Sequence, residues 1–350
     1  MILKRVEDLR GNEILARNIM TWDYQIILPQ GAVIRREYIE KLSELGVSEV
    51  YIKEEDINPG EIVILKTEME ESIKETVKDI LERHTYHHNN ELSELSTTAD
   101  NIISTILEEE HVIERIFDIK ERSADIYEHS ISICAFAILT ALKLGVENSK
   151  IHDIGVGCLL HDIGLRYLTI EYNNQDLKTL SKQELAEYKK HPVYGYSALK
   201  DETWISDVSK AIILHHHEYI NGSGYPLRTK DVPFECRIVS VCDAFDELIC
   251  GIGCKRTKVY QAIEYMKNYR NVLFDGKIVD TFLGFTAVYP AGTRVMTNEG
   301  EVAVVVSQNK DFQDRPVIRI IRDKEGNIIR NEVIKDLVKV HNIFIEKTMD

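Results

Sequence analysis

Apolar side chains at Met69, Ile73, Val77, Ile80 and Leu81 recur at intervals of three and four, which lays one stripe along a helix over residues 64–84. A polar break at residues 84–90 follows. A second stripe then runs through Leu92, Leu95, Ala99, Ile102, Ile103 and Ile106. Two readings fit these stripes: helices packed on the following domain, or a dimerisation seam that makes a homodimer. From about residue 109 to 275 helical periodicity dominates. Apolar helices are expected over 130–144, over Val156 to Leu160, from His191-Pro192 onward, through Ala211 to Leu214, and around Ile238 to Ala244.

The two ends of the chain read differently. Short β-like runs at Glu13 to Ile19, Gln25 to Leu28 and Glu49 to Ile52 flank a helix from Arg36 to Leu45, and Gly46 suits its C-terminal cap. Pro59-Gly60 marks a boundary. Near the C-terminus, Val302 to Val306 and Val317 to Ile321 are β-branched runs beside the turns Asn298-Glu299-Gly300 and Lys324-Glu325-Gly326-Asn327. The expected architecture is mainly α. A small α+β module spans 1–62, a helical linker 63–108, a helical domain that carries the chemistry 109–284, and a small β module 285–350.

Composition narrows the function. The 350 residues are 44% hydrophobic and 29% charged, ordinary for a globular chain, with a net charge of −15. That acidity argues against a polymeric nucleic acid as partner. It leaves room for a small anionic substrate, because bound metal ions can dominate a local field. The six cysteines form no CxxC pair and read as free thiols in a reducing compartment. The N-terminus lacks a signal-peptide core, and no run of about 18 apolar residues predicts a membrane span, so a cytoplasmic location is expected.

Among the twelve histidines, His84, His87, His88, His111 and His341 stand apart, and His87-His88 reads as a solvated loop. The others repeat one oddity. His129 lies at the start of an apolar helix, His161-Asp162 closes another, His191 opens a third, His216-His217 ends a fourth, and Asp243 lies inside a fifth. Placing such groups against apolar helices is costly unless they are paired or metallated. Histidine and carboxylate donors suit Fe, Mn, Co, Ni or Zn, and the lack of thiolates argues against a structural zinc site. Adjacent donor pairs favour more than one ion. His152-Asp153 nearly duplicates His161-Asp162, but it follows a polar stretch and reads as the first turn of a helix.

The run from His216 through Glu218, Asn221, Gly222 and Gly224 to Tyr225-Pro226 resembles the HHExxDGxGYP signature of the HD-GYP family, a branch of the HD phosphohydrolases. Leu160-His161-Asp162-Ile163-Gly164 resembles its LHDIGK element. Pro233 to Ile238, leading to Asp243 and Asp246, resembles a further stretch of it. The resemblance covers roughly residues 109–275. It implies an HD-type helical bundle with two or three divalent metal ions, often iron or manganese, that hydrolyses cyclic di-GMP. The implied ligands are His129, His161, Asp162, His191, His216, His217 and Asp243, with Asp162 bridging two ions and His161-Asp162 at the heart of catalysis. Asp125 stands four residues before His129, where some members place a carboxylate for a third ion; it is otherwise a partner that orients His129.

Three departures bear on substrate contacts. Leu165 replaces the lysine of HDIGK, with Arg166 following; Asn221 replaces an aspartate; and Ile252-Gly253-Cys254-Lys255 lacks the family's arginine and keeps only Lys255. Tyr225 and Pro226 remain to shape the pocket. The expectation is a phosphodiesterase for cyclic di-GMP or a related cyclic dinucleotide that uses a metal-bridging hydroxide. The alternatives are a catalytically weak cyclic-dinucleotide receptor and a phosphohydrolase for another nucleotide or phosphoester.

Overall fold

The computed structural model describes the chain except residues 1, 10, 12, 21–25, 54–61, 88–89, 109–111, 113–114, 311 and 350. Pro59-Gly60, His88 and His111 therefore lie outside the described residues. The N-terminal module contains β1 (Ile2–Arg5), β2 (Ile14–Leu15), β3 (Ile19–Met20), β4 (Ile26–Leu28), α1 (Arg36–Glu44) and β5 (Glu49–Lys53). One antiparallel sheet runs β1-β5-β2, and β3 pairs with β4. The single run expected over Glu13 to Ile19 is split, because Ile14-Leu15 pairs with β5 while Ile19-Met20 pairs with β4. Leu15, Ile34, Leu42 and Val50 close a core of their own. Gly46 sits at φ +77°, the left-handed position expected after a helix.

The helical body comprises α2 (Thr67–His87), α3 (Glu94–Glu108), α4 (Ile126–Leu144), α5 (Asn148–Leu160), α6 (Lys182–Tyr188), α7 (His191–Leu199), α8 (Asp207–His215), α9 (Phe234–Cys250), α10 (Val259–Asn268) and α11 (Gly276–Leu283). The stripes on α2 and α3 settle against it. Ile73, Val77, Leu95, Ala99, Ile102 and Ile106 share one buried cluster with Ile133, Ile154 and Val239. Residues 63–108 are thus part of the helical core rather than a spacer, because burying each large aliphatic side chain contributes about 1.5–3 kcal/mol. His152 lies on the outer face of α5, with Nε2 3.0 Å from Ser96 Oγ.

Helix α4 is apolar on all sides, as a central helix must be. It is long and apolar enough to cross a membrane, yet 78% of its apolar window lies buried inside the fold. Asp125 caps its N-terminus and Gly145 its C-terminus. The C-terminal module is an antiparallel sheet of β6 (Arg294–Thr297), β7 (Val302–Asn309), β8 (Phe312–Arg322), β9 (Ile328–Asp336) and β10 (Ile345–Met349), ordered β10-β6-β7-β8-β9. Val295, Ala303, Val305, Ile318 and Leu337 form its core. Asp118 joins it to the helices. Its carboxylate accepts from Ile62 N at 2.9 Å, Ala291 N at 2.7 Å and Gln308 Nε2 at 2.8 Å.

Gly164 is required where the turn after Asp162 meets α7. A methyl group at this position would fall on the His191 carbonyl oxygen. Gly164→Ala is expected to destabilise the fold by about 1–3 kcal/mol or more, through overpacking against backbone, and to displace His191. Thermal melting followed by circular dichroism checks this; an unchanged midpoint would show that the turn can yield.

Candidate metal centre

Five helices deliver the site. His129 sits in the first turn of α4, His161 caps the end of α5 with Asp162 next to it, and His191 begins α7. His216 caps the end of α8, His217 follows it, and Asp243 lies mid-way along α9. Each of these seven side chains is at least nine-tenths buried.

The backbone aims the rings. His161 Nδ1 donates to Cys158 O at 2.7 Å, His191 Nδ1 to Tyr188 O at 2.8 Å, and His216 Nδ1 to Ile213 O at 3.1 Å. Carbonyls only accept, so these contacts place a proton on Nδ1 and turn Nε2 inward. His129 Nδ1 donates to Asp246 Oδ2 at 2.7 Å, with the same result.

The carboxylates divide the cage in two. Asp162 Oδ2 faces His129 Nε2 at 3.6 Å and His161 Nε2 at 3.4 Å, while Oδ1 faces His191 Nε2 at 3.3 Å and His216 Nε2 at 3.6 Å. Asp243 Oδ1 joins the first set, 3.3 Å from His129 Nε2 and 3.7 Å from His161 Nε2, and its Oδ2 lies 3.3 Å from His217 Nδ1. Two of the groupings this forms are His129, His161 and Asp243, and Asp162, His191, His216 and His217. Asp162 reaches across both.

The donor atoms fit cations. His129 Nε2, His161 Nε2, Asp162 Oδ1 and both oxygens of Asp243 are buried with no hydrogen-bond partner. Each such group costs free energy unless something pairs with it. His191 Nε2 and His216 Nε2 face each other at 3.2 Å, two inward lone pairs in opposition. A cation between them turns that repulsion into coordination.

Electrostatics agree. Burial opposes the charge on Asp162, yet the rings of His161, His216 and His191 hold its carboxyl well below the usual range. Burial likewise opposes the charge on His161, but Asp162 and Asp243 raise it to about 10. At His191 burial dominates over the attraction of Asp162, and the ring falls to about 4.

A supporting layer lies behind the ligands. Asp246, fully buried, is ion-paired with Arg122. Arg122 also approaches Glu128, and Glu128 accepts from Arg17 Nη1 of the N-terminal module at 3.4 Å. A second bridge leads from Glu49 on β5 to Arg256 at 2.5 Å, and Arg256 donates to the Arg122 carbonyl. Among the sequence expectations no role was assigned to Asp246 or to Glu247. Their spacing of three and four from Asp243 was the available signal, since it puts them on the same helix face. Arg122 carries no sequence signal.

Asp125 lies outside these two groupings: Oδ1 accepts from Tyr127 N and Glu128 N as the cap of α4, and Oδ2 is 2.5 Å from Lys74 Nζ. Capping and ion pairing occupy it, and it does not orient His129, which Asp246 holds instead. The other pocket residues vary. Tyr225 stacks on His217, centroids 4.6 Å apart. Pro226 follows it through a cis peptide bond, and Glu218 Oε1 holds the loop beyond by accepting from Leu227 N and Arg228 N. Arg166 turns away to donate to Tyr127 Oη at 2.7 Å, Lys255 is exposed, and Asn221 folds back on Ser223.

Comparison with known proteins places the chain in a family. Residues 75–278 match the HD domain family, and residues 294–350 match the family described as a KOW domain associated with HD domain. The cyclic di-GMP phosphodiesterase PA4108 of Pseudomonas aeruginosa is 26% identical over 69% of this chain and 59% of its own. The cyclic di-GMP phosphodiesterase response regulator RpfG of Xanthomonas campestris is 34% identical over 41% and 39%. The 3'3'-cGAMP-specific phosphodiesterase 2 of Vibrio cholerae is 27% identical over 61% and 40%. The chain thus spans about two to three fifths of the length of these relatives. Bd1817, an HDG"Y"P protein from Bdellovibrio bacteriovorus, shares the fold at a TM-score of 0.55 and 22% identity, covering 80% of this chain and 97% of that one.

Two outcomes follow from the geometry. His161 is protonated near neutral pH in the metal-free protein, and binding a cation through Nε2 must displace that proton. Metal uptake should therefore release protons and tighten as pH rises, which calorimetry in buffers of different ionisation enthalpy reads directly; uptake without proton release contradicts it. Asp246→Asn should weaken metal binding about tenfold to a hundredfold by loosening His129. Chelator competition measures this.

Proposed function

We propose, from the premise that this chain belongs to the HD domain family and to its HD-GYP branch, that the centre is a two-metal phosphodiesterase site acting on a cyclic dinucleotide, with cyclic di-GMP the leading substrate. Asp162 carries the proposal. It turns one buried oxygen to each of two histidine sets, and within one of them His191 Nε2 and His216 Nε2 face each other. The names of the relatives support the substrate class, since they are phosphodiesterases for cyclic di-GMP or 3'3'-cGAMP.

Cations bound to these residues would supply Lewis acidity and lower the pKa of a bound water towards about 7. The remaining work falls to the protein. His129, His161 and Asp243 would hold one cation, and His191, His216 and His217 the other, with Asp162 shared. Asp246 keeps the His129 lone pair aimed inward. Glu218 fixes the loop that presents Tyr225, whose ring is placed to pack against a base. Nitrogen and oxygen donors without thiolates suit iron or manganese. The six cysteines form no disulfide, which suits a reducing cytoplasm.

One observation favours a second reading, a weakly catalytic receptor. The basic contacts are displaced: Leu165 is buried and apolar, Arg166 is engaged with Tyr127, and Ile252 is buried where the family has arginine. Each lost charge-assisted contact is worth about 1.5–3 kcal/mol.

Protein purified without oxygen and loaded with manganese or iron is expected to linearise cyclic di-GMP, as read by product chromatography beside 3'3'-cGAMP and a simple phosphoester. Asp162→Ala should abolish both metal retention and turnover while leaving helical circular dichroism unchanged. Tight cyclic dinucleotide binding by the metal-loaded protein without turnover establishes the receptor reading. Turnover of the simple phosphoester alone replaces the substrate class.

A further inference from the structure

We propose that Lys189 is a substrate-binding residue that holds the second, unreacting phosphate of a cyclic dinucleotide while the first lies at the metal centre. The inference rests on the phosphodiesterase reading above and adds to it a residue and a role.

Placement comes first. Three consecutive side chains where α6 ends go three ways. Tyr188 is buried, its ring 5.1 Å from that of His191. Lys190 is exposed and pairs with Glu187, Nζ to Oε2 2.8 Å. Lys189 lies between them, half-buried, and its Nζ stands 5.3 Å from the centroid of the Tyr225 ring. Tyr225 in turn stacks on His217 and meets His191 edge to face at 6.1 Å. The ammonium is therefore one ring removed from two histidines of the centre, beside the pocket and outside the donor cage itself.

A second observation is the lack of a counter-charge. Among the described residues no carboxylate lies within ion-pairing distance of Lys189, although the chain carries a net charge of −15 and the lysine next to it takes Glu187. The face of an aromatic ring attracts a cation only weakly and does not use up its hydrogen bonds. The three N–H donors of Lys189 are thus open to an oxygen acceptor.

The chemistry of the ligand supplies the role. A cyclic dinucleotide carries two phosphates on one covalent ring, so when one lies against the histidine and aspartate donors the other must lie to the side of them. Leu165 and Ile252, both buried and apolar, offer it nothing, and Arg166 is engaged with Tyr127. Lys189 brings a positive charge from another element of the fold. It meets a phosphate as a point charge on a flexible stem. Because that phosphate does not react, the contact is alike in the ground state and the transition state, and it acts on binding rather than on the chemical step.

The test separates the two phosphates. The full chain is loaded anaerobically with manganese and assayed on cyclic di-GMP and on bis(p-nitrophenyl) phosphate, a diester with a single phosphate. Lys189→Met is expected to raise KM for cyclic di-GMP about tenfold or more with little change in kcat. The ratio of kcat/KM for cyclic di-GMP to that for the single-phosphate diester should fall by the same factor, and Lys189→Arg, which keeps the charge, should restore most of it. Metal content and melting midpoint should match wild type. An unchanged KM in Lys189→Met overturns the assignment and leaves the phosphodiesterase reading standing. So does an equal loss on both substrates, which makes Lys189 a support for the Tyr225 ring. Wild type that binds cyclic di-GMP without hydrolysing it overturns the phosphodiesterase reading instead. Calorimetry then decides the contact: binding about tenfold weaker in Lys189→Met upholds it, and equal binding overturns it.

Discussion

Asp162 and Asp243 are buried carboxylates whose oxygens face imidazole nitrogens in a space that contains few other hydrogen-bonding partners. In a protein interior this is expensive. The cost falls away when cations occupy the gap between opposed lone pairs. The helical body can be understood as the means of holding this unfavourable cluster open: α4, α5, α7, α8 and α9 each bring one or two donors, and each is anchored by an apolar face that has nowhere else to go.

Rigidity in such a cage comes from the layer behind it. Backbone carbonyls at the ends of α5 and α8 and before α7 fix three rings, and Asp246 fixes the fourth. Asp246 in turn leans on Arg122, where two bridges from the N-terminal module converge, one through Arg17 and Glu128 and one through Glu49 and Arg256. The module is therefore linked to His129 of the centre through a chain of ion pairs and hydrogen bonds. The C-terminal sheet attaches at a different place, through Asp118, and has its own core.

The substrate side of the site is less conventional than the metal side. The seven histidine and aspartate side chains picked out by the motifs converge, with Asp125 outside their groupings, whereas Leu165, Asn221 and Ile252 carry no charge where the motif has charged residues. Arg166 follows the motif leucine directly, but its guanidinium pairs with Tyr127 on α4, so a positive charge next in sequence is not next in space.

The sequence by itself determined the helices of the body and marked out seven histidine and aspartate side chains as candidates for one site. These are legible because apolar periodicity and the repeated placement of His or Asp at helix ends are local properties of the chain. It also left the stripes of α2 and α3 open between a partner chain and the protein's own core, and it favoured Asp125 as a ligand. Only the tertiary structure decided these. Whether a stripe meets α4 or a second copy, whether Asp125 meets a cation or Lys74, and whether Asp246 meets His129 all depend on which surfaces are brought within a few ångströms by packing, and that is a property of distant segments that no local pattern encodes.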